Sequence, residues 1–208
     1  MKIEKLNQEN RLHKAPMPVI ALTGGVATGK STVSDYLIKH GENIICADKL
    51  VHQIYQKQET YEFISTLVPE AINNGQIIFP KLREKFFSNK ELQSKIENFI
   101  YSHLPHEFTE AYKTFNKPDF IFYDVPLLFE KKLDPLVDYI VVVYSKAEEQ
   151  IQRLMIRDSI SKELAQNMLT KQMPIDEKKD RADYVIENSS DLKKLYQNID
   201  SFLKFLKN

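Results

Sequence analysis

The chain has 208 residues, with 29 Lys plus Arg balancing 29 Asp plus Glu and 42% hydrophobic content. That length suits one α/β domain with a sizeable core and room for an inserted lobe, and zero net charge argues against the basic footprint of a general nucleic-acid binder. One cysteine (Cys46), no apolar leader and no apolar run near membrane-spanning length together lead us to expect a cytoplasmic protein without disulfides.

Residues 1–17 mix charges without an apolar pattern and are expected to form a frayed tail. The apolar run Val19–Thr23 reads as a first strand. It leads into Gly24, Gly25, Val26, Ala27, Thr28, Gly29, Lys30 and Ser31, a complete G-x-x-x-x-G-K-[ST] phosphate-binding loop, with Thr32 just beyond. An amphipathic helix follows and closes at Gly41, a plausible C′ glycine. A second strand spans Asn43–Ala47, and further strands are expected at Phe120–Asp124, Tyr139–Tyr144 and Tyr184–Ile186. Their near-continuous hydrophobicity predicts a parallel five-stranded sheet covered by helices on both faces.

Between the second and third of these strands, residues of about 53–117 are too many for a simple crossover and predict a helical insert. Leu92, Ile96, Phe99 and Ile100, then Phe108, Tyr112 and Phe115, recur at helical spacing, with a break expected near Pro105. Asn116-Lys117-Pro118-Asp119 matches the guanine-reading N-K-x-D motif, but it precedes a strand instead of following one. With no D-x-x-G switch present, it reads as a helix-to-strand turn. Leu192, Leu195, Ile199, Phe202, Leu203 and Leu206 mark a C-terminal amphipathic helix packed on the sheet.

In the phosphate loop, glycines let backbone N–H groups face inward while the helix N-terminus adds orphan donors and a positive dipole end. Lys30 would bridge the β- and γ-phosphates of ATP, Ser31 would hold Mg²⁺, and Thr32 would donate to a phosphate. Asp124 ends an apolar strand and reads either as a carboxylate supporting Mg²⁺ through water or as a strand cap. Asp48, just past the second strand, reads either as the base for an attacking hydroxyl or as a helix N-cap. Arg153 and Arg157 lie one helical turn apart and read as a lid clamp on the transferring phosphoryl group or as a solvated face. Lys178 and Lys179 read as solvated. These features favour phosphoryl transfer to a hydroxyl over a nucleotide-dependent switch.

The segments LTGGVATGKSTV, ADKLVHQI, KLREKFFSN, YDVPLLFE, VVVYSKAEEQIQRLMIRDSIS and KQMPIDEKKDRADYVIENS follow one another over residues 22–189. In this series the chain resembles the dephospho-CoA kinases. The resemblance implies a P-loop nucleoside/nucleotide kinase-like fold occupying residues 18–208. Its core would be 18–52, 118–145 and 173–208, with a helical CoA-binding insert at about 53–117 and a lid at about 146–172. It implies ATP-dependent phosphorylation of the ribose 3′-hydroxyl of dephospho-CoA by a Mg²⁺-using monomer, the alternative acceptor being another nucleoside or nucleotide. By the same resemblance Asp48 is the catalytic aspartate and Arg157 the lid arginine. Cys46 stands where the family often has an aspartate and His52 where it often has an arginine. Tyr101-Ser102 replaces a usual His-Pro, with His103 nearby and read as structural.

Overall fold

The computed structural model describes residues 3–207. In chain order its regular elements are β1 (Val19–Gly24), α1 (Lys30–Lys39), β2 (Ile44–Cys46), α2 (Ala47–Tyr55), α3 (Gln58–Leu67), β3 (Ile72–Asn73), β4 (Gln76–Ile77), α4 (Phe79–Ser88) and α5 (Lys90–Lys113). These are followed by β5 (Ile121–Asp124), β6 (Tyr139–Tyr144), α6 (Ala147–Asp158), α7 (Lys162–Leu169), α8 (Ile175–Asp180), β7 (Tyr184–Glu187) and α9 (Leu192–Lys207). Two compact units result, one of residues 1–46 and 115–208 and one of residues 47–114.

The first unit is built on a parallel sheet of order β2-β5-β1-β6-β7. Every residue of β1 and β5 is buried, which explains why these strands read as unbroken apolar runs instead of alternating ones. One face of the sheet presents Ile20, Leu22, Phe122, Val141 and Val143 to Val33 and Leu37 of α1 and to Leu195, Ile199 and Phe202 of α9. The C-terminal helix therefore packs as its periodicity predicts, except that Leu192 is exposed.

The expected frayed tail is corrected by the structure: residues 3–17 are folded, with two 3₁₀ turns at Gln8–Asn10 and Leu12–Lys14. The cause is Asp138, fully buried just ahead of β6. Its carboxylate accepts from Arg11 Nε at 2.7 Å and from the backbone amides of Lys5, Leu6 and Val19 at 3.0, 2.9 and 2.9 Å. Burial alone would raise its pKa, but these donors outweigh that and hold the carboxyl below the usual range. Ile3, Leu12, Ala15 and Met17 are buried alongside. A buried acid of this kind needs partners, and the N-terminal segment supplies them.

In the unit of residues 47–114, helix α5 packs against α2 and α4. The break expected near Pro105 does not occur, because α5 runs unbroken from Lys90 to Lys113. Ile96, Ile100, Leu104 and Phe108 form a buried stripe on both sides of the proline, while Pro105 faces solvent. Burying four such side chains outweighs a cost of about 3 kcal/mol for a mid-helix proline. A hairpin not anticipated from sequence, β3–β4, turns through Asn74 and Gly75, both at positive φ (47° and 75°), the conformation that an Asn-Gly type I′ turn requires.

Candidate active site

The phosphate loop connects the carboxyl end of β1 to the amino end of α1, in the central strand of the sheet. Gly29 is left-handed at φ 91°, and a Cβ there would collide with Asn188 Nδ2. At Gly24 a Cβ would lie 2.8 Å from the carbonyl oxygen of Val143, so the loop can leave the sheet at this point only with glycine. Ala27 is also at positive φ (59°), and Thr28 braces the turn by donating from Oγ1 to the Gly25 carbonyl at 2.9 Å.

Lys30 is the first residue of α1, and its ammonium pairs with Asp124 Oδ1. Ser34, one turn along, donates to Asp124 Oδ2 at 2.7 Å. Asp124 is buried and thus spoken for by two donors of α1, which goes beyond the strand-cap reading. Ser31 is exposed in the first turn. A buried carboxylate and an exposed serine form a hard-oxygen donor pair of the kind Mg²⁺ takes when triphosphate and water complete its shell. Among the described residues no group of three or more His, Cys, Asp or Glu side chains could hold a metal by itself.

The two arginines of α6 part ways. Arg153 reaches the loop, donating to the carbonyls of Ala27 (3.4 Å) and Thr28 (3.5 Å) and to that of Asn188 (2.7 Å). Arg157 instead forms a bidentate pair with Asp158 at 2.7 and 2.8 Å on the exposed side of the helix. That bond lowers the Asp158 carboxyl and raises the Arg157 guanidinium pKa.

Two loop partners were not picked out from sequence. Asn188, just past β7, donates from Nδ2 to the Thr28 carbonyl at 2.8 Å, and its own amide bonds the Tyr144 carbonyl at 2.8 Å. Gln172, between α7 and α8, accepts from the Val26 amide at 2.9 Å. Both lie in the KQMP…ADYVIEN series, but only folding brings them to the loop. The solvated reading of Lys178 is corrected: it is fully buried in α8. Lys179 pairs with Glu187 at 3.0 Å in a partly exposed position.

Asp48 is the second residue of α2, in its first turn and exposed. A carboxylate there suits the positive end of the helix dipole, whereas the cap position would precede Ala47. In the chain it stands two residues beyond Cys46, which is in register with Asp124 on the neighbouring strand. His52 bonds Gln56 at 2.9 Å, and His103 bonds the Phe99 carbonyl at 2.7 Å, in keeping with a structural role. The NKPD turn sits at the amino end of β5, the opposite sheet edge from the phosphate loop. There Lys117 and Asp119 line a cleft with His40 and Asn43.

A parallel sheet with a glycine-cradled loop leading from its central strand into a helix headed by Lys30 defines a P-loop nucleotide-binding fold. The sequence matches the dephospho-CoA kinase family (CoaE) over residues 18–194. It is 39% identical to the dephospho-CoA kinase of Fusobacterium nucleatum, covering 88% of this chain and 96% of that one. A crystal structure from Thermus thermophilus superposes with a TM-score of 0.81 at 28% identity, covering 91% of this chain and 98% of its own. The dephospho-CoA kinase of Campylobacter jejuni gives 0.67 at 26%, covering 90% and 96%. The chain belongs to the dephospho-CoA kinase family. Residues 1–17 precede the matched region.

Proposed function

We propose that this protein transfers the γ-phosphoryl group of ATP to the ribose 3′-hydroxyl of dephospho-CoA, giving CoA and ADP in the last step of coenzyme A synthesis. The observation that carries the reading is a family match over residues 18–194 on a chain whose phosphate loop is fully formed. The loop amides and Lys30 bind the triphosphate, with Gly24, Gly25, Val26, Ala27, Thr28, Gly29, Ser31 and Thr32 forming the cradle. Mg²⁺, held by Ser31 and through water by Asp124, would offset charge on the β- and γ-oxygens.

Asp48 accepts the proton of the attacking 3′-hydroxyl as its oxygen bonds to the γ-phosphorus and the bond to the β–γ bridging oxygen breaks. Arg153 keeps the loop in shape. Arg157 leaves Asp158 and closes over the transferring group from the lid, roughly residues 146–172. Residues of about 53–117 hold the CoA portion of the acceptor. Balanced charge and a single cysteine suit a cytoplasmic monomer. No helix among the described residues is long and apolar enough to cross a membrane.

The deciding experiment is a coupled ADP-release assay with dephospho-CoA, adenosine and AMP as separate acceptors. Stimulation by dephospho-CoA alone is expected, and equal turnover without an acceptor would sink the assignment. Asp48→Asn should lower kcat by about 10²–10⁴-fold with ATP binding retained, as expected for loss of a general base.

A further inference from the structure

Lys178 is a charged side chain with no exposed surface, and the reaction as outlined does not use it. Its ammonium has three partners: the Gly24 carbonyl at 3.3 Å, the Pro126 carbonyl at 3.2 Å and Glu130 Oε1 at 2.8 Å. The two carbonyls accept N–H donors of the group, and the carboxylate pairs with its charge. A buried cation for which a packed apolar side chain could substitute without loss would be an unusual thing to keep, because removing it from water costs several kcal/mol.

What it touches suggests why it is there. Gly24 is the first glycine of the phosphate loop, at the point where the chain leaves β1. The orientation of its carbonyl fixes the peptide plane whose other end is the Gly25 amide. Pro126 and Glu130 belong to the segment after β5, and the Pro126 carbonyl also accepts from Thr23 Oγ1 at 3.2 Å. Glu130 Oε1 in turn accepts from the Met173 amide at 2.9 Å. Met173 is next to Gln172, the side chain that bonds the Val26 amide. One ion pair, with its lysine fully buried and its glutamate partly so, thus joins the start of the phosphate loop, the segment following Asp124 and the return segment of the lid.

We propose that Lys178 is a positioning residue for nucleotide binding: its ammonium pins the Gly24 carbonyl outward so that the following loop amides face the triphosphate. Glu130 compensates its charge and ties it to the lid return. The proposal rests on the kinase reading above only in taking ATP as the nucleotide, and it predicts an effect on ATP affinity that is separable from the stability of the ion pair.

The test measures ATP affinity by calorimetry without acceptor, along with thermal stability and kcat. Lys178→Met leaves the partly buried Glu130 without its counter-charge and should destabilise the fold. Lys178→Met/Glu130→Gln removes both charges and should regain much of that stability, yet still bind ATP about tenfold more weakly because Gly24 has lost a charged donor. Glu130→Gln alone keeps the ammonium on both carbonyls and should leave ATP affinity within about twofold. A folded double variant with wild-type ATP affinity, or a tenfold loss in Glu130→Gln, would overturn the proposal. Lack of turnover with dephospho-CoA in the unaltered protein would instead sink the kinase reading and leave this binding test intact.

Discussion

Acid should loosen the protein through its N-terminal segment, and His13 is the group that makes this measurable. It packs edge-on to the Tyr123 ring at 6.0 Å, and burial lowers its pKa from 6.5 to about 4. In the unfolded chain the imidazole titrates near its ordinary value. The folded state therefore holds the neutral ring, and its contribution is intact above pH 6.5 and is lost as pH falls from 6.5 towards 4. Integrating the proton difference between pH 7 and pH 5 gives about 2 kcal/mol of stability lost at this one site. Carboxylates also titrate at the lower end, so the comparison needs a control that keeps them. Urea denaturation of the wild type and of His13→Gln at both pH values isolates the imidazole. The variant should lose about 2 kcal/mol less than the wild type on acidification. An equal loss in the two proteins, or an NMR titration of His13 centred near its free value, would refute the reasoning.

Three further outcomes are expected. Gly29→Ala forces a side chain into left-handed backbone and onto Asn188, so triphosphate binding should fall at least tenfold in a protein whose far-UV circular dichroism is unchanged. Asp138→Asn removes the buried carboxylate beneath Arg11, leaving that guanidinium only the exposed Glu4 at 3.3 Å, and should cost about 3–5 kcal/mol in urea denaturation at pH 7. Because the Asp138 carboxyl is held below its ordinary pKa, that gap should close as pH drops through the carboxylate range. Arg153→Ala removes the guanidinium bracing the Ala27, Thr28 and Asn188 carbonyls and should raise the KM for ATP more than it lowers kcat in steady-state assays.

The parts legible in the sequence are those set by local pattern. Continuous apolar runs located all five strands of the main sheet to within a residue or two, and a glycine-lysine loop located the site. Partnership was not legible, because it depends on residues far apart in the chain. Lys178 looks like any surface lysine in IDEKKD until Glu130 and two carbonyls surround it. Arg11 looks like part of a loose tail until Asp138 is seen beneath it. Arg153 and Arg157 share a helix face, but only one of them finds carbonyls to bind. Pro105 misleads for a different reason: local propensity opposes the helix while a buried stripe on either side sustains it. The Asn74-Gly75 turn was readable, since that dipeptide is a strong short-range hairpin signal, but it was obscured by its position inside a helical insert.

The strand order has a consequence for how the protein is made. β1, which carries the phosphate loop, pairs with β5 through Val19 and Ile121 and with β6 through Ile20 and Tyr139. Each partner arrives more than a hundred residues later in the chain. The main sheet contains no hairpin: every pairing in it is parallel, and even β6 and β7 are separated by three helices. Closing such long loops is entropically costly and makes parallel sheets slow to form. A ribosome-bound chain must therefore carry β1 unpaired until β5 has emerged, and without its second partner until residues near Tyr144 have followed, while the unit of residues 47–114, whose contacts are nearer in sequence, can fold first. The phosphate loop is among the earliest segments synthesised and among the last to take shape, which makes nucleotide binding a report on completed folding.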